Sequence, residues 1–463
     1  MKEIAFWLHN QFLCIIIIYE VFMKKTTVKY PFLTRDVEIY EQDNGHKIVL
    51  AHKEGDMINV SSWVKTGSIN ENDQNNGISH FLEHLMFKGT HKHKAGEFDH
   101  ILESRGAIVN AATWKDYTFY YVTLPKGENG ENFDLAIELH ADMMTDPVIP
   151  DYEMGAPFDI NDKNVTDKRE RHVVIEEIRM RKDQPWTKVY NATNHAMYTS
   201  HPYKRDVIGT PEIISQISQQ EIMDYYRRFY SPKNVTTIIV GDFNSEEILE
   251  KVIKEFNWGE RPEPPERDIL PDKPVENTVY IENSSNINSS FMMFGFLGAP
   301  AKDLKNIIAL EMLAIILGEG TSSRLYTNLI ENQSEQIFNV IDAENYSFRD
   351  GSNFFVQANF NPKYKEKAVE LVKKEIEKIK EGITERELNK AKKKVKSGFA
   401  CDVENVSDIG ETIGYYMTVC DDLALAEDYI PVCESISAED LTNAAKKYLD
   451  INNAVISLLV PQK

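Results

Sequence analysis

The chain has 463 residues, 42% of them hydrophobic and 27% charged, with a formal net charge of −21. That length exceeds what one hydrophobic core supports, so more than one domain is expected. The acidic balance argues against a nucleic-acid binder, which carries a basic footprint. It is compatible with a chamber that attracts basic peptides, although surface solubility is the simpler reason.

In chain order, the first feature is the apolar run FLCIIIIY, from Phe12 to Tyr19. It is too short to span a bilayer and lacks the small-residue cleavage site of a signal peptide, so no stable membrane span is expected. Membrane association or export through this run stays open. Met23, followed by two lysines, reads as an alternative start, and residues 1–30 are treated as an extension. From His46 to Gly67, HKIVLAHKEGDMINVSSWVKTG reads as strands.

The segment NGISHFLEHLMFKG, from Asn76 to Gly89, reads as a helix. His80 and His84 stand four apart, a little over one turn, so both imidazoles leave one face. Two imidazoles on one face form half of a tetrahedral zinc site, and Glu83 on the same turn can reach a water at the metal. The pattern H-x-x-E-H is the inverted zincin motif. Phe81, Leu82, Leu85, Met86 and Phe87 surround it, which implies a buried helix, and buried polar groups need partners. His91 and His93 read as exposed loop residues.

A catalytic zinc keeps three protein ligands and one open position. The best donor of the third is KRERHVVIEEIRMRKDQP, Lys168 to Pro185, which has helical composition. Glu170 and Glu177 are two turns apart and share a face, whereas Glu176 points about 100° away. The shared face suggests one ligand and one supporting carboxylate, with Val173, Val174 and Ile178 on the buried side.

Five prolines between Trp258 and Pro274 mark an extended linker. The parts on either side read as diverged copies. ISQQEIMDYYRRFYSPKNVTTIIVGDF, from Ile217, matches ISAEDLTNAAKKYLDINNAVISLLVPQ, from Ile436, in a capped helix, a turn and an apolar strand. Their fronts match too, strands followed by a helix, with LEMLAIIL standing where the first half has its histidine helix. All 12 histidines lie between His9 and His201, so the first half holds the chemistry. The fold class is α+β: two homologous domains, each a mixed, largely antiparallel sheet with helices packed on one face. The expected boundaries are 31–257 for a zinc-binding domain, 258–275 for the linker and 276–463 for an inactive homologous domain. Gly318 and Gly320 read as a turn, and the lysines of 389–398 as a solvated helix face. The four cysteines (Cys14, Cys401, Cys420, Cys433) fit no metal or redox pattern and read as reduced and at least partly buried. A reducing, cytoplasmic compartment follows from that.

Taken together, these segments resemble the pitrilysin/insulinase family of inverzincin metallopeptidases. The chain is most similar to its two-domain bacterial members and to the mitochondrial processing peptidase beta subunit. The resemblance runs from about Tyr40 to Val460. It rests on HFLEHLMFKGT (80–90), GAIVNAATWKDYTFY (106–120), ERHVVIEEIRMR (170–181), HPYKRDVIGT (201–210) and YYRRFYSPKNVTTIIVGDF (225–243). It implies one zinc per chain held by His80, His84 and Glu177, with Glu83 as general base and Glu170 supporting the ligands. Asn110 and Ala111 would lie on a substrate-edge strand, and Arg324 and Tyr326 would contact substrate from the second half. The implied activity is zinc-dependent endopeptidase hydrolysis of extended peptides or unfolded segments inside a clamshell chamber, formed as a homodimer or with a homologous chain. The alternative is a non-catalytic homologue acting as an assembly or scaffold subunit. Two departures stand out. Residues 151–168 look like an inserted loop, rich in Gly, Pro, Asn and Asp. Ile330 and Ile337 occupy positions where many members carry an Arg and a Tyr seven apart.

Overall fold

The computed structural model describes residues 23–162, 166–167 and 169–462; the apolar run at 12–19 and Cys14 lie outside the described residues. Alternating sequence in the first half forms β1 (Met23–Val28), β2 (Val37–Gln42), β3 (Lys47–His52), β4 (Met57–Val64), β5 (Ile108–Thr113), β6 (Thr118–Pro125) and β7 (Val235–Gly241). They lie in the order β1-β2-β3-β7-β4-β6-β5. Only β3 and β7 pair in parallel; every other neighbouring pair is antiparallel. Residues 23–28, counted with the extension in the sequence, are therefore part of this sheet.

The second half forms β8 (Val279–Ser285), β9 (Ser290–Leu297), β10 (Phe338–Phe348), β11 (Gly351–Phe360) and β12 (Val455–Pro461), in the order β10-β11-β9-β12-β8. Here β8 and β12 are the parallel pair. Setting aside the β1–β2 hairpin, the two sheets have the same path: β3-β7-β4-β6-β5 corresponds to β8-β12-β9-β11-β10. The diverged repeat read from the chain ends is a repeat of topology. Both capping boxes are formed, by Ser218 with Glu221 and by Ser437 with Asp440.

The principal helices are α1 (Ile78–Met86), α2 (Glu131–Thr145), α3 (Glu170–Asp183), α4 (Pro185–Met197), α5 (Gln219–Phe229), α6 (Leu304–Leu317), α7 (Glu385–Cys401), α8 (Val406–Thr418) and α9 (Ala438–Tyr448). In each half, that half's own helices bury one face of its sheet, as expected. One core joins Phe81, Leu82 and Leu85 of α1 to Val60, Tyr120 and Leu124. Its counterpart joins α6, apolar on nearly all sides, to Phe294, Phe354 and Val356.

The opposite faces are also covered, and by the other half. α8 packs on β4 and β7 of the first sheet, where Ile409, Ile413 and Tyr416 meet Trp63, Ile238 and Val240. α4 packs on β9 and β12 of the second sheet, where Val189 and Met197 meet Met293, Phe355 and Leu459. The α8 contact is close: a Cβ on Gly414 would fall 2.0 Å from Cε2 of Trp63. The two halves are interlocked by this exchange.

No helix or strand lies between Glu255 and Val279, in keeping with the proline-rich reading. Trp258, placed at the start of the linker, is buried in the first core at 3% exposure. Further along, Arg267 pairs with Asp116 of the first half and, at 3.1 Å, with Asp350 of the second. No helix of the described residues is long and apolar enough to cross a membrane.

Candidate metal centre

α1 carries the H-x-x-E-H triplet, and its N-terminus is anchored. Glu71 is buried and accepts from the backbone N–H of Gly77 at 2.8 Å and of Ser79 at 2.9 Å, and from Asn76 Nδ2 at 2.7 Å. This satisfies donors that a helix start leaves free. Gly77 has φ of +96° and sits against Gly209, an approach that a side chain would block. His80 is buried, and its ring centroid is 4.8 Å from that of His84.

α3 brings the third group. Glu177 Oε2 lies 3.7 Å from His80 Nε2 and 3.5 Å from His84 Nε2. These separations are long for hydrogen bonds. They suit atoms sharing one ion: two ligands about 2.1 Å from a metal, at a tetrahedral angle, stand about 3.4 Å apart. Among the described residues, these three form the one group of His, Cys, Asp or Glu ligands close enough to hold a metal. The donor set, two imidazoles and a carboxylate, suits zinc.

The surroundings fix each ligand. Glu170 Oε1 is 2.8 Å from His84 Nδ1, and Glu170 Oε2 is 2.6 Å from Lys88 Nζ. With Nδ1–H donated to Glu170, Nε2 is left to face Glu177. Arg181 Nη2 binds the other oxygen of Glu177, Oε1, at 2.9 Å. Glu176 turns outward to Arg179, as the helical phase requires. Val173 is exposed, at 47%, which corrects its expected burial; the buried face of α3 is Arg171, Val174, Ile175 and Ile178.

Charge distribution at the site follows from burial and pairing. Burial, with the neighbouring His84, pushes His80 down to about 3. For His84 burial acts downward, but the hydrogen bond to Glu170 and the carboxylate of Glu177 nearby outweigh it and raise it to about 9. The contact with His84 takes Glu177 down to about 2. Burial raises Glu83, against the lowering effect of the Thr113 hydroxyl, which donates to Glu83 Oε2 at 2.7 Å.

His80, Glu83, His84, Glu177, Thr113 and Arg181 open on a cleft of about 880 Å³ between the halves. Its first wall includes Asn110, Ala111 and Thr113 of β5, the edge strand of the first sheet with one side unpaired. Its second wall includes Met293, Tyr346, Phe348 and Phe355 from the second half. Asn110 keeps its Oδ1 on the N–H of Ala111 at 2.9 Å.

Two expected contacts are not brought here. Arg324 and Tyr326 do not line the cleft. The Arg324 guanidinium is committed within the second half, to Glu387 Oε1 at 2.6 Å and to Gly382 O at 2.8 Å. Neither residue is therefore brought to the metal centre. His91 pairs with Asp146 at the surface, in line with its loop reading. Cys420 and Cys433 are buried and Cys401 is exposed, all three without a disulfide; exposure of Cys401 corrects the burial expected of it.

Sequence reasoning missed Glu71, Thr113 and Arg181. Arg181 carried a signal, since it follows Glu177 by one turn. Thr113 reaches Glu83 from a different element 30 positions away and has no local mark.

A histidine pair and a glutamate on two packed helices, with a second acid on the histidine helix opening into the same cleft, define the class of H-x-x-E-H metallopeptidase folds. Residues 47–211 match the family described as Insulinase (Peptidase family M16), and residues 216–395 match the Peptidase M16 inactive domain. The zinc protease PqqE of Helicobacter pylori is 32% identical over 90% of this chain and 91% of its own length. A crystal structure of a protease from Helicobacter pylori superposes with a TM-score of 0.80 at 27% identity, covering 95% of this chain and all of that one. Pitrilysin shares the fold at a TM-score of 0.75 and 16% identity, this chain covering 46% of it. The chain belongs to peptidase family M16, the insulinase family.

Proposed function

We propose that this chain is a zinc-dependent endopeptidase acting on extended peptides or unfolded segments. The observation that carries this reading is the spacing of the His80, His84 and Glu177 ligand atoms, with Glu83 opening on the same cleft. The names of relatives as zinc proteases agree with it.

A zinc ion held by these three residues would acidify a water molecule and polarise the scissile carbonyl. The chain's own residues do the rest. Glu83 accepts the proton of the attacking water and delivers it to the leaving amine nitrogen. The Thr113 hydroxyl holds the Glu83 carboxylate in one orientation. Glu170 fixes the ring of His84, and Arg181 occupies the second oxygen of Glu177. The free edge of β5 pairs with the substrate main chain as an added strand, beside Asn110 and Ala111. An extended peptide fits such an edge and a folded domain does not.

The second half supplies a wall without ligands. We read the full enzyme as a clamshell of this chain with a second copy or a homologous chain, acting in a reducing, cytoplasmic compartment. Light scattering on the purified protein tests the assembly. Chelation tests the chemistry: stripped protein should lose hydrolysis of a quenched peptide library and regain it with one equivalent of Zn2+. Full hydrolysis by metal-free protein would contradict the proposal.

A further inference from the structure

The segment before α3 is tied to it by one buried cation. Arg171 is 0% exposed; the carboxylates of Asp167, Asp151 and Glu221 act on its charge, while among the described residues its side-chain hydrogen bonds go to backbone carbonyls. It donates Nε and Nη2 to Gly155 O at 3.1 and 3.0 Å, Nη2 to Ile217 O at 2.7 Å, and Nη1 to Ile214 O. Its guanidinium carbon stands 5.3 Å from the ring centroid of Phe81, which neighbours His80 on α1. One side chain thus joins four pieces: α3 with Glu170 and Glu177, α1 with the histidines, the 151–162 segment, and the turn at 214–217.

Burying a charge is costly unless its donors are met, and a packing role alone needs no charge. The planar fork of an arginine offers donors in a fixed geometry, which defines an orientation as a hydrocarbon cannot. The 151–162 segment forms a second grip on the same helix. The Phe158 ring stacks on His172 at 4.4 Å with 13° between the planes. Its backbone N–H donates to Ser215 O at 3.2 Å, and its carbonyl accepts from Gln216 Nε2 at 2.6 Å.

We propose that Arg171, seated on the 151–162 segment, is a positioning residue for the metal site: it sets the rotation of α3 about its axis and thereby the place of Glu177. A carboxylate oxygen about 6 Å from a helix axis moves about 1 Å for a 10° rotation. Metal ligation tolerates only about 0.2 Å. The 151–162 segment is then a brace for the third ligand and not a passive surface loop. This inference rests on reading His80, His84 and Glu177 as zinc ligands.

The test uses the full chain, stripped of metal, as wild type, Arg171→Lys and Phe158→Ala. Zinc affinity is read by competition with a chromogenic chelator, and the Tm of the metal-free protein is read in parallel. Arg171→Lys should weaken zinc affinity at least about tenfold in protein of unchanged circular dichroism, and Phe158→Ala about threefold, as loss of supporting contacts does. A fall in Tm with wild-type zinc affinity in both variants would overturn the proposal, since packing alone moves only Tm. Should Arg171→Lys fail to fold, Phe158→Ala decides on the same measure. A wild type that takes up no zinc overturns this inference together with the proposed function. A wild type that binds zinc but cleaves no peptide overturns the function alone.

Discussion

Glu170 accepts from His84 Nδ1 at 2.8 Å while its other oxygen holds Lys88 at 2.6 Å. The pair joins the two ligand helices and fixes which ring nitrogen of His84 faces Glu177. Replacing Glu170 by Ala removes that constraint without touching a ligand. Zinc affinity should fall about 10- to 100-fold, measured by chelator competition on folded protein.

Thr113 makes a second test. Its hydroxyl favours the ionised Glu83 carboxylate, which burial disfavours. Thr113→Val removes the favourable contact, so the Glu83 pKa rises further. A general base must be ionised to act, so the acid limb of the kcat/KM profile should move to higher pH. An acid limb that stays in place would remove Thr113 from the account.

A pH effect on stability is expected far from the cleft. Burial in α6 raises Glu311 from 4.5 to about 7, against the lowering effect of the Tyr429 hydroxyl. An acid with a raised folded pKa leaves stability intact below its unfolded value and costs stability as pH rises through the folded value. The loss therefore develops between about pH 4.5 and 7 and is complete above that, at about 3 kcal/mol. Glu311→Gln keeps an acceptor for Tyr429 and should raise Tm at pH 8, with little change at pH 4.5.

The interlock between the halves is testable at Gly414, whose added Cβ would overlap Trp63. Gly414→Ala should lower stability by about 1–3 kcal/mol through overpacking, read by denaturant unfolding. The reverse change at the same contact, Trp63→Phe, should restore part of that loss in the double variant.

Much of the site was legible because its signals are local. The spacing of His80, Glu83 and His84 is set by one helical turn, and that of Glu170 and Glu177 by two, so periodicity alone puts each set on a face. The repeat was legible from the matched chain ends around Ser218 and Ser437. What was not legible depends on contacts across elements. Nothing in the sequence of α4 or α8 says which sheet its apolar stripe will cover, since either half offers an apolar face. Arg171 reads as an ordinary charged helical residue, yet it takes the buried side expected of Val173. Arg324 sits in a promising segment, and only the position of Glu387 reveals that its guanidinium is engaged elsewhere.

The most direct test measures metal content and peptide hydrolysis together, on wild type and on Glu83→Gln. This account predicts one zinc per chain in both proteins and a fall in hydrolysis of at least about a hundredfold in the variant, the usual contribution of a general base. Cleavage by Glu83→Gln at the wild-type rate, or an active wild type that holds no zinc, would contradict it.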